Sequence, residues 1–485
     1  MSLTRRYFLK SAAAASAVAA ATHIVQDPVQ AQSKAASEKL GIAVIGAGGR
    51  GSSHLSEFAG RDDAEVLYIC DVDEAQAGKA AGVEKKQGRA PKFVQDFRKV
   101  LDDPSVDCIS TATPNHWHSL VSIWALQAGK HVYVEKPVSH NVWEGRQLLE
   151  WSRKLNLMVQ CGTQSRSSPS LREAVAFVQS GKLGKIQYAI GTCYKPRKSI
   201  GKLDKPLVIP ANIDYDMWCG PAEKVDLYRP KLHYDWHWDF NTGNGDMGNQ
   251  GIHQMDIARW FLGEQELSPR VMSIGGRLGY DDAGNTPNTQ VVYHGYEAAP
   301  LIFETRGLPS KDLDWKNGMD NYRGSQIGVI VQCEEGYVVV PSYTGATAYD
   351  NDGNVVQAWK GGGDHFGNFL SGVRTKKLED LNGEILEGHL SSALCHTGAI
   401  SHRIGQLQTG AQAAAEAKGN DLLADSFSRM VDHLGANGVA IDSPSITVGP
   451  WLEMDPKTER FIGNDAANEL LTRPYREGYV VPSAT

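Results

Sequence analysis

A chain of 485 residues exceeds one ordinary domain, so a two-domain organisation is the natural expectation. Hydrophobic residues make up 41% and charged residues 22%, the balance of a water-soluble protein with a sizeable core. The formal net charge of -7 comes without a basic stripe or an acidic tail, which argues against nucleic acid as a partner.

The first residues read as an address rather than a fold. Thr4-Arg5-Arg6-Tyr7-Phe8-Leu9-Lys10 sets paired arginines before an alanine-dominated run from Ala12 to Ala21. Val29-Gln30-Ala31 then offers a small-residue cleavage site. The run is shorter than the roughly 20 residues that span a bilayer. Residues 1–31 are therefore expected to be a twin-arginine signal that exports the folded protein to the periplasm, with no stable membrane span. The seven cysteines show no CxxC spacing, and a chain folded in a reducing cytoplasm is not expected to depend on disulfides.

From Leu40 onward, short apolar runs alternate with helical stretches. Strands are expected at 41–45, 66–70, 108–112, 131–134 and 157–160, with helices at 53–59 and 120–128 between them. This alternation implies a parallel sheet with right-handed crossovers over 39–162. The texture then changes. Residues 186–193, 271–276, 290–296, 326–333 and 336–341 read as longer strands of an open, largely antiparallel sheet. Helices are expected at 246–262, 365–374, 388–404 and 421–434. Residues 194–234, rich in proline, lysine and aromatics, read as a long structured loop.

Gly46-Ala47-Gly48-Gly49-Arg50-Gly51 directly follows the first strand and opens a helix. This G-x-G-x-x-G provides a tight turn, backbone approach to a pyrophosphate, and close helix–sheet packing. The helix N-terminus presents unpaired N–H groups to the phosphates. Asp71, ending the second strand, is placed to accept hydrogen bonds from adenosine ribose hydroxyls and to repel a 2′-phosphate, favouring NAD over NADP. Arg50 complicates this preference, because a guanidinium nearby could accept that phosphate.

Glu135-Lys136-Pro137 follows a parallel strand at its carboxyl end, where ligands of such sheets bind. A buried lysine there can hydrogen-bond a reacting hydroxyl, with its basicity tuned by burial. A cis Lys136–Pro137 bond is possible in that turn.

With these motifs in place, the chain resembles the glucose-fructose oxidoreductase / inositol dehydrogenase / MocA family. The resemblance rests on Gly46–Gly51, Asp71, Thr113-Pro114-Asn115-His116-Trp117-His118, Ala128-Gly129-Lys130-His131-Val132 and Glu135-Lys136-Pro137. It continues through Gly162-Thr163-Gln164-Ser165-Arg166, Gly184-Lys185-Ile186 and Asp246 to Trp260. It implies an α/β protein with an N-terminal Rossmann domain over 39–162. A C-terminal α/β domain over 163–485 would carry the substrate site and the contacts of a homodimer or homotetramer. It also implies that Lys136 assists proton transfer, and that Thr113, Pro114, Asn115, His118, Glu135 and Lys136 itself lie along the cofactor.

In the second domain, Asn249 and His253 stand four apart, on one face of a helix. Relatives of the inositol dehydrogenase type carry aspartate at the position matching Asn249. Asparagine can orient a hydroxyl but cannot take a proton, so the acid–base work is expected to fall on Lys136 and His253, whose imidazole titrates near neutrality and can serve as a proton carrier. Asp246, one turn earlier, is the candidate replacement carboxylate. Trp236 and His237, in the aromatic run His233–Asp239, suit a pyranose ring and its hydroxyls. Gln164, Arg166, Tyr194, Lys195 and Arg197 are further candidates for the pocket wall. No metal is expected, since no coordinating set is closed and the resembled family needs none.

Three functions follow from these residues. The leading one is NAD-dependent hydride transfer at a sugar, cyclitol or glycoside hydroxyl. The second is glycosidic cleavage through transient oxidation by a tightly bound, recycled NAD. The third is a non-catalytic sugar or NAD sensor, against which the retention of both Lys136 and His253 argues. A periplasmic enzyme has no dependable pool of free NAD, so a cofactor carried through export and regenerated in place is expected.

Overall fold

The computed structural model describes residues 38–484; the expected export signal lies outside the described residues. Six parallel strands form the first sheet: β1 (Leu40–Ile45), β2 (Ala64–Cys70), β3 (Lys92–Val94), β4 (Cys108–Thr111), β5 (His131–Val134) and β6 (Val159–Cys161). Helices cover both faces, which is why β1, β4 and β5 are buried along their whole length and read as continuous apolar runs. The strand order is β3-β2-β1-β4-β5-β6. Chain direction across the sheet reverses between β1 and β4, opening a crevice at the carboxyl ends of those strands. The short edge strand β3 and the helix Val142–Leu155 carry weaker signals and escape the sequence reading.

The second sheet has twelve strands. They are β7 (Ile186–Tyr194), β8 (Arg270–Gly276), β9 (Thr289–His294), β10 (Leu301–Arg306), β11 (Ile327–Cys333), β12 (Gly336–Ser342), β13 (Gly345–Asp350), β14 (Val355–Lys360), β15 (Gln406–Gln408), β16 (Ile446–Val448), β17 (Leu452–Asp455) and β18 (Arg460–Phe461). Its main path runs β14-β13-β12-β11-β7-β10-β9-β8-β16-β15, with β17 joined to β8 and β18 to β17. Only the central β7–β10 pair is parallel.

Alternation along these strands sends Ala189, Leu301, Phe303 and Val331 to one face. There they pack with Ile257 and Phe261 of the helix Ile252–Leu262 and Leu394 of the helix Ile385–Arg403. Ile190, Met272 and Ile302 turn to the opposite face, under Ala413 of the helix Gly410–Ala417 and Phe427 and Met430 of the helix Asp421–Ala436.

The helix expected over 246–262 opens differently. A π-helical turn, Met247–Gly251, precedes the α-helix Ile252–Leu262. The backbone of Gly251 sits on the Phe303 ring, where a Cβ would stand 2.3 Å from Cζ. Such turns recur at functional sites because they re-aim backbone groups. The long loop expected over 194–234 starts after β7 and runs on to 241, with one short α-helix, Tyr215–Cys219, and it crosses back over the parallel domain. All seven cysteines are free and buried.

Candidate active site

One cavity of about 730 Å³ runs along the carboxyl ends of β1, β2, β4 and β5. Its first end is the glycine turn. Gly46 has φ +81°, and a Cβ there would stand 2.6 Å from the Thr113 amide nitrogen. A Cβ at Gly51 would stand 1.8 Å from the Gly46 carbonyl oxygen, so this glycine sets how closely the helix Gly49–Ala59 approaches the turn. Gly48 and Gly49 face open space, and the helix starts without a side-chain cap, so its leading N–H groups are free to bind an anion. These features fit a pyrophosphate.

At the end of β2, the Asp71 carboxylate accepts from the Ala47 amide (2.7 Å) and the Asp73 amide (3.0 Å). Burial raises its pKa above the ordinary carboxyl value. Lys79 brings a cation to the same turn, donating to the Ala47 carbonyl and to Ser52 Oγ (2.7 Å).

The other end is built around Lys136. The Lys136–Pro137 bond is cis. The ammonium donates to the backbone carbonyl of Asn249 at 2.7 Å, a group that the π-helical turn delivers. Burial lowers the lysine pKa; the Glu135 carboxylate opposes that fall and the Arg50 guanidinium adds to it. Glu135 accepts from Arg50 Nε (2.7 Å) and sits 3.1 Å from His54 Nε2. Burial works against its charge, but Arg50 and His54 together hold its carboxyl well below the usual range.

Burial, with the nearby Lys136 ammonium adding to it, pushes the His253 pKa down to about 3. His253 is therefore a neutral imidazole at physiological pH, which corrects the expectation that it titrates near neutrality as a proton carrier. Its ring lies 4.8 Å from that of Tyr343. Trp236 and His237 stack at 3.6 Å and close the same end of the cavity.

Of the expected cofactor residues, Thr113, Pro114, Asn115, His118 and Glu135 all line the cavity, as do Gln164, Asn249 and His253. The His118 ring stands 2.6 Å from the Pro137 carbonyl and 2.8 Å from that of Thr113, tying the loop after β4 to the Lys136 turn. Arg50 is engaged by Glu135 and lies over the Phe366 ring, so it has a partner of its own at the Lys136 end.

Five expected site residues, Asp246, Arg166, Tyr194, Lys195 and Arg197, are absent from the cavity lining. Asp246 is buried against Arg197, which donates to it through Nε at 2.7 Å, so it does not replace the missing carboxylate. Arg166 is buried against Asp256 and Glu387. Tyr194 turns to the far face of the sheet and donates to Glu304 at 2.5 Å. Lys195 donates to Gln250 Oε1 at 3.3 Å.

Arg166 therefore belongs to the scaffold. Arg166→Ala takes from the buried Asp256 carboxylate its closest cation, leaving the Ser391 hydroxyl (2.7 Å) and Arg259 at 4.0 Å, and is expected to cost about 3 kcal/mol of stability, read as a lower denaturant midpoint.

Tyr343 escapes the sequence reading. It sits in the β12–β13 turn and accepts from Gln250 Nε2 at 2.5 Å, with no local motif to mark it. Lys79, Met217 and Trp218 were also missed; the last two come from the long loop, whose aromatic content was the only signal.

Comparison with known proteins bears on this geometry. Residues 40–163 match an oxidoreductase family's NAD-binding Rossmann fold, and residues 177–318 match that family's C-terminal alpha/beta domain. The chain belongs to the glucose-fructose oxidoreductase / inositol dehydrogenase / MocA family. Among family relatives, the levoglucosan dehydrogenase of Pseudarthrobacter phenanthrenivorans is 24% identical over 242 residues, covering 49% of this chain and 54% of that protein. A glycosyl hydrolase family 109 protein of Stenotrophomonas maltophilia is 36% identical over 140 residues, covering 27% of this chain and 29% of its own. The chain thus spans about half, or less, of these two relatives' lengths. The WlbA dehydrogenase of Bordetella pertussis, solved with NADH and UDP-GlcNAcA, shares the fold with a TM-score of 0.53 at 19% identity, over 74% of this chain and 94% of that one.

Proposed function

We propose that this chain is an NAD-dependent oxidoreductase that moves hydride to or from a hydroxyl-bearing carbon of a sugar, cyclitol or glycoside. One observation carries the reading: a single cavity joins the glycine turn and Asp71 to Lys136, His253 and the Trp236–His237 stack. When bound, the dinucleotide supplies the hydride acceptor or donor. The glycine turn holds its phosphates and Asp71 its ribose. Lys136 Nζ takes the proton of the substrate hydroxyl, its lowered pKa making the neutral amine more accessible than in free lysine. Neutral His253 and the Asn249 side chain orient that hydroxyl. Ionised Glu135 keeps a compensating charge beside the lysine. The Trp236 ring offers an apolar face to the sugar's C–H groups.

The Asp71 carboxylate and the engagement of Arg50 by Glu135 favour NAD over NADP. Asp71→Ser is expected to shift affinity toward NADP relative to NAD by about tenfold or more, measured on protein stripped of dinucleotide, because the like-charge penalty on a 2′-phosphate is removed. Purified protein incubated with free sugars and aryl glycosides tests the activity itself. Substrate-dependent growth of the NADH absorbance band supports the dehydrogenase. Tight dinucleotide binding without any turnover would overturn it in favour of a sensor.

A second reading is glycosidic cleavage with the cofactor recycled in place. It is supported by the long loop, which brings Met217, Trp218, His233 and Trp236 to the cavity wall, and by the likeness to the family 109 hydrolase. Aglycone release without net NADH distinguishes it. We further read residues 1–31 as a twin-arginine signal, the mature protein as periplasmic, and its assembly as a homodimer or homotetramer.

A further inference from the structure

We propose that residues 212–241 form a strap that keeps the dinucleotide from exchanging, and that residues 473–484 latch this strap shut; the proposal rests on the dinucleotide reading above.

The strap begins where the ribose would lie. Ile213 forms a bridge with Asp73, the Glu74 amide donates to the Asn212 carbonyl (3.1 Å), and the Asp214 amide donates to the Val72 carbonyl (3.0 Å). The Asn212 side chain donates to Asp73 at 2.6 Å, and His233 Nε2 reaches the same carboxylate at 3.2 Å. All these bonds fall on the loop that directly follows Asp71.

The middle of the strap is pressed onto the loop after β4. Trp117 Nε1 donates to the Met217 carbonyl (3.0 Å), and the His116 ring stands 2.9 Å from the Trp218 carbonyl. Gly220 has φ +47° and lies so close to the indole of Trp117 that a Cβ would stand 2.2 Å from it. Between these anchors, Met217, Trp218, His233 and Trp236 contribute to the wall of the cavity, with the glycine turn on the Rossmann side.

The latch lies outside the strap. Arg476 donates to the carbonyls of Asp216 (2.9 Å) and Gly220 (3.2 Å) and to the Asp216 carboxylate (2.5 Å). Arg473 donates to the Asn241 carbonyl (2.7 Å) and side chain (2.6 Å). This segment is itself tied to the helix Val142–Leu155, through Trp151 to the Pro482 carbonyl (3.1 Å) and Lys154 to that of Ala484 (2.7 Å).

A dinucleotide held between the glycine turn and Lys136 would lie against the strap residues that line the same cavity. Its departure requires these bonds to open together, a local unfolding rather than a simple dissociation. The redox balance then closes inside the cavity. The hydride and proton taken from one CH–OH group are returned to a carbonyl, on the same molecule or on a second one of the same class.

The test uses the full chain. Protein is desalted, denatured and assayed for released dinucleotide; native protein is then chased with excess isotopically labelled NAD and the retained label is counted. The wild type is expected to keep its dinucleotide through desalting and to exchange over hours. Arg476→Ala and Asn212→Ala are each expected to exchange about tenfold faster or more, the effect of losing charge-assisted hydrogen bonds. Arg89→Ala, at an exposed position away from the strap, is expected to match the wild type. Exchange of the wild type within seconds, or variants that exchange at the wild-type rate, would overturn the strap while leaving the hydride-transfer reading intact. A chain that binds no dinucleotide at any concentration would overturn both.

Discussion

Lys136→Ala is expected to lower kcat/KM by about 10²–10⁴-fold, the usual contribution of a positioned general acid or base, while dinucleotide affinity changes little. The ammonium donates to the Asn249 carbonyl of the second domain, whereas the glycine turn and Asp71 are the groups placed to hold the phosphates and ribose, so the two functions separate. Steady-state kinetics, and NADH fluorescence titration of protein first stripped of dinucleotide, check both halves. Lys136→Arg should not rescue, because a guanidinium stays protonated throughout the working range.

The pH dependence follows from the same group. Oxidation of the substrate needs the neutral amine, so kcat/KM in that direction is expected to rise with pH through a pKa below the ordinary lysine value of 10.5. The limb should vanish in Lys136→Ala. The stability consequence has the opposite character to that of a favourable ion pair. Between the lowered folded-state pKa and 10.5 the unfolded chain binds more protons, so stability rises with pH across that window. Lys136→Met is expected to gain stability over the wild type below the window and to lose that advantage as pH approaches 10.5, read by denaturant unfolding at several pH values.

Gly51→Ala is the second large effect. The added methyl would stand 1.8 Å from the Gly46 carbonyl oxygen, a backbone atom that no rotamer change can move aside. The helix Gly49–Ala59 must back away from the turn, carrying with it the N–H groups that face the phosphates. Dinucleotide affinity is expected to fall by about 100-fold or more, with the fold retained, in the range set by losing two or more charge-assisted hydrogen bonds. Near-wild-type NADH binding by this variant would contradict the assignment of the turn.

The Rossmann half was legible because its signals are local. A strand, a glycine turn and a helix stand in one contiguous run, and each glycine has a steric reason visible in the sequence spacing. The site in the second domain was only half legible. Asn249 and His253 could be placed in the pocket by their spacing. That Lys136 bonds to the Asn249 carbonyl could not, since it depends on a π turn seated on Phe303.

Asp246 and Arg166 show the complementary failure. A polar residue beside a motif looks the same whether it faces a cavity or a buried partner. The deciding partners, Arg197 and Asp256, sit on other elements. Tyr343 and the strap were hidden for the same reason, being brought to the cavity by packing between distant parts of the chain. His253 was found, but its titration was misjudged, because burial is a property of the fold and not of the residue.

The seven buried cysteines make a natural clock for unfolding. Burial raises the thiols of Cys70, Cys161, Cys193 and Cys395, and pushes those of Cys219 and Cys333 up to about 11, so these six stay thiols at neutral pH. A small alkylating reagent will find them unreactive until the surrounding sheet or helix opens. Counting adducts by mass over time would then report which part of the molecule loosens first. Cys219, in the short helix Tyr215–Cys219, would time the release of the cover over the cavity without any engineered label.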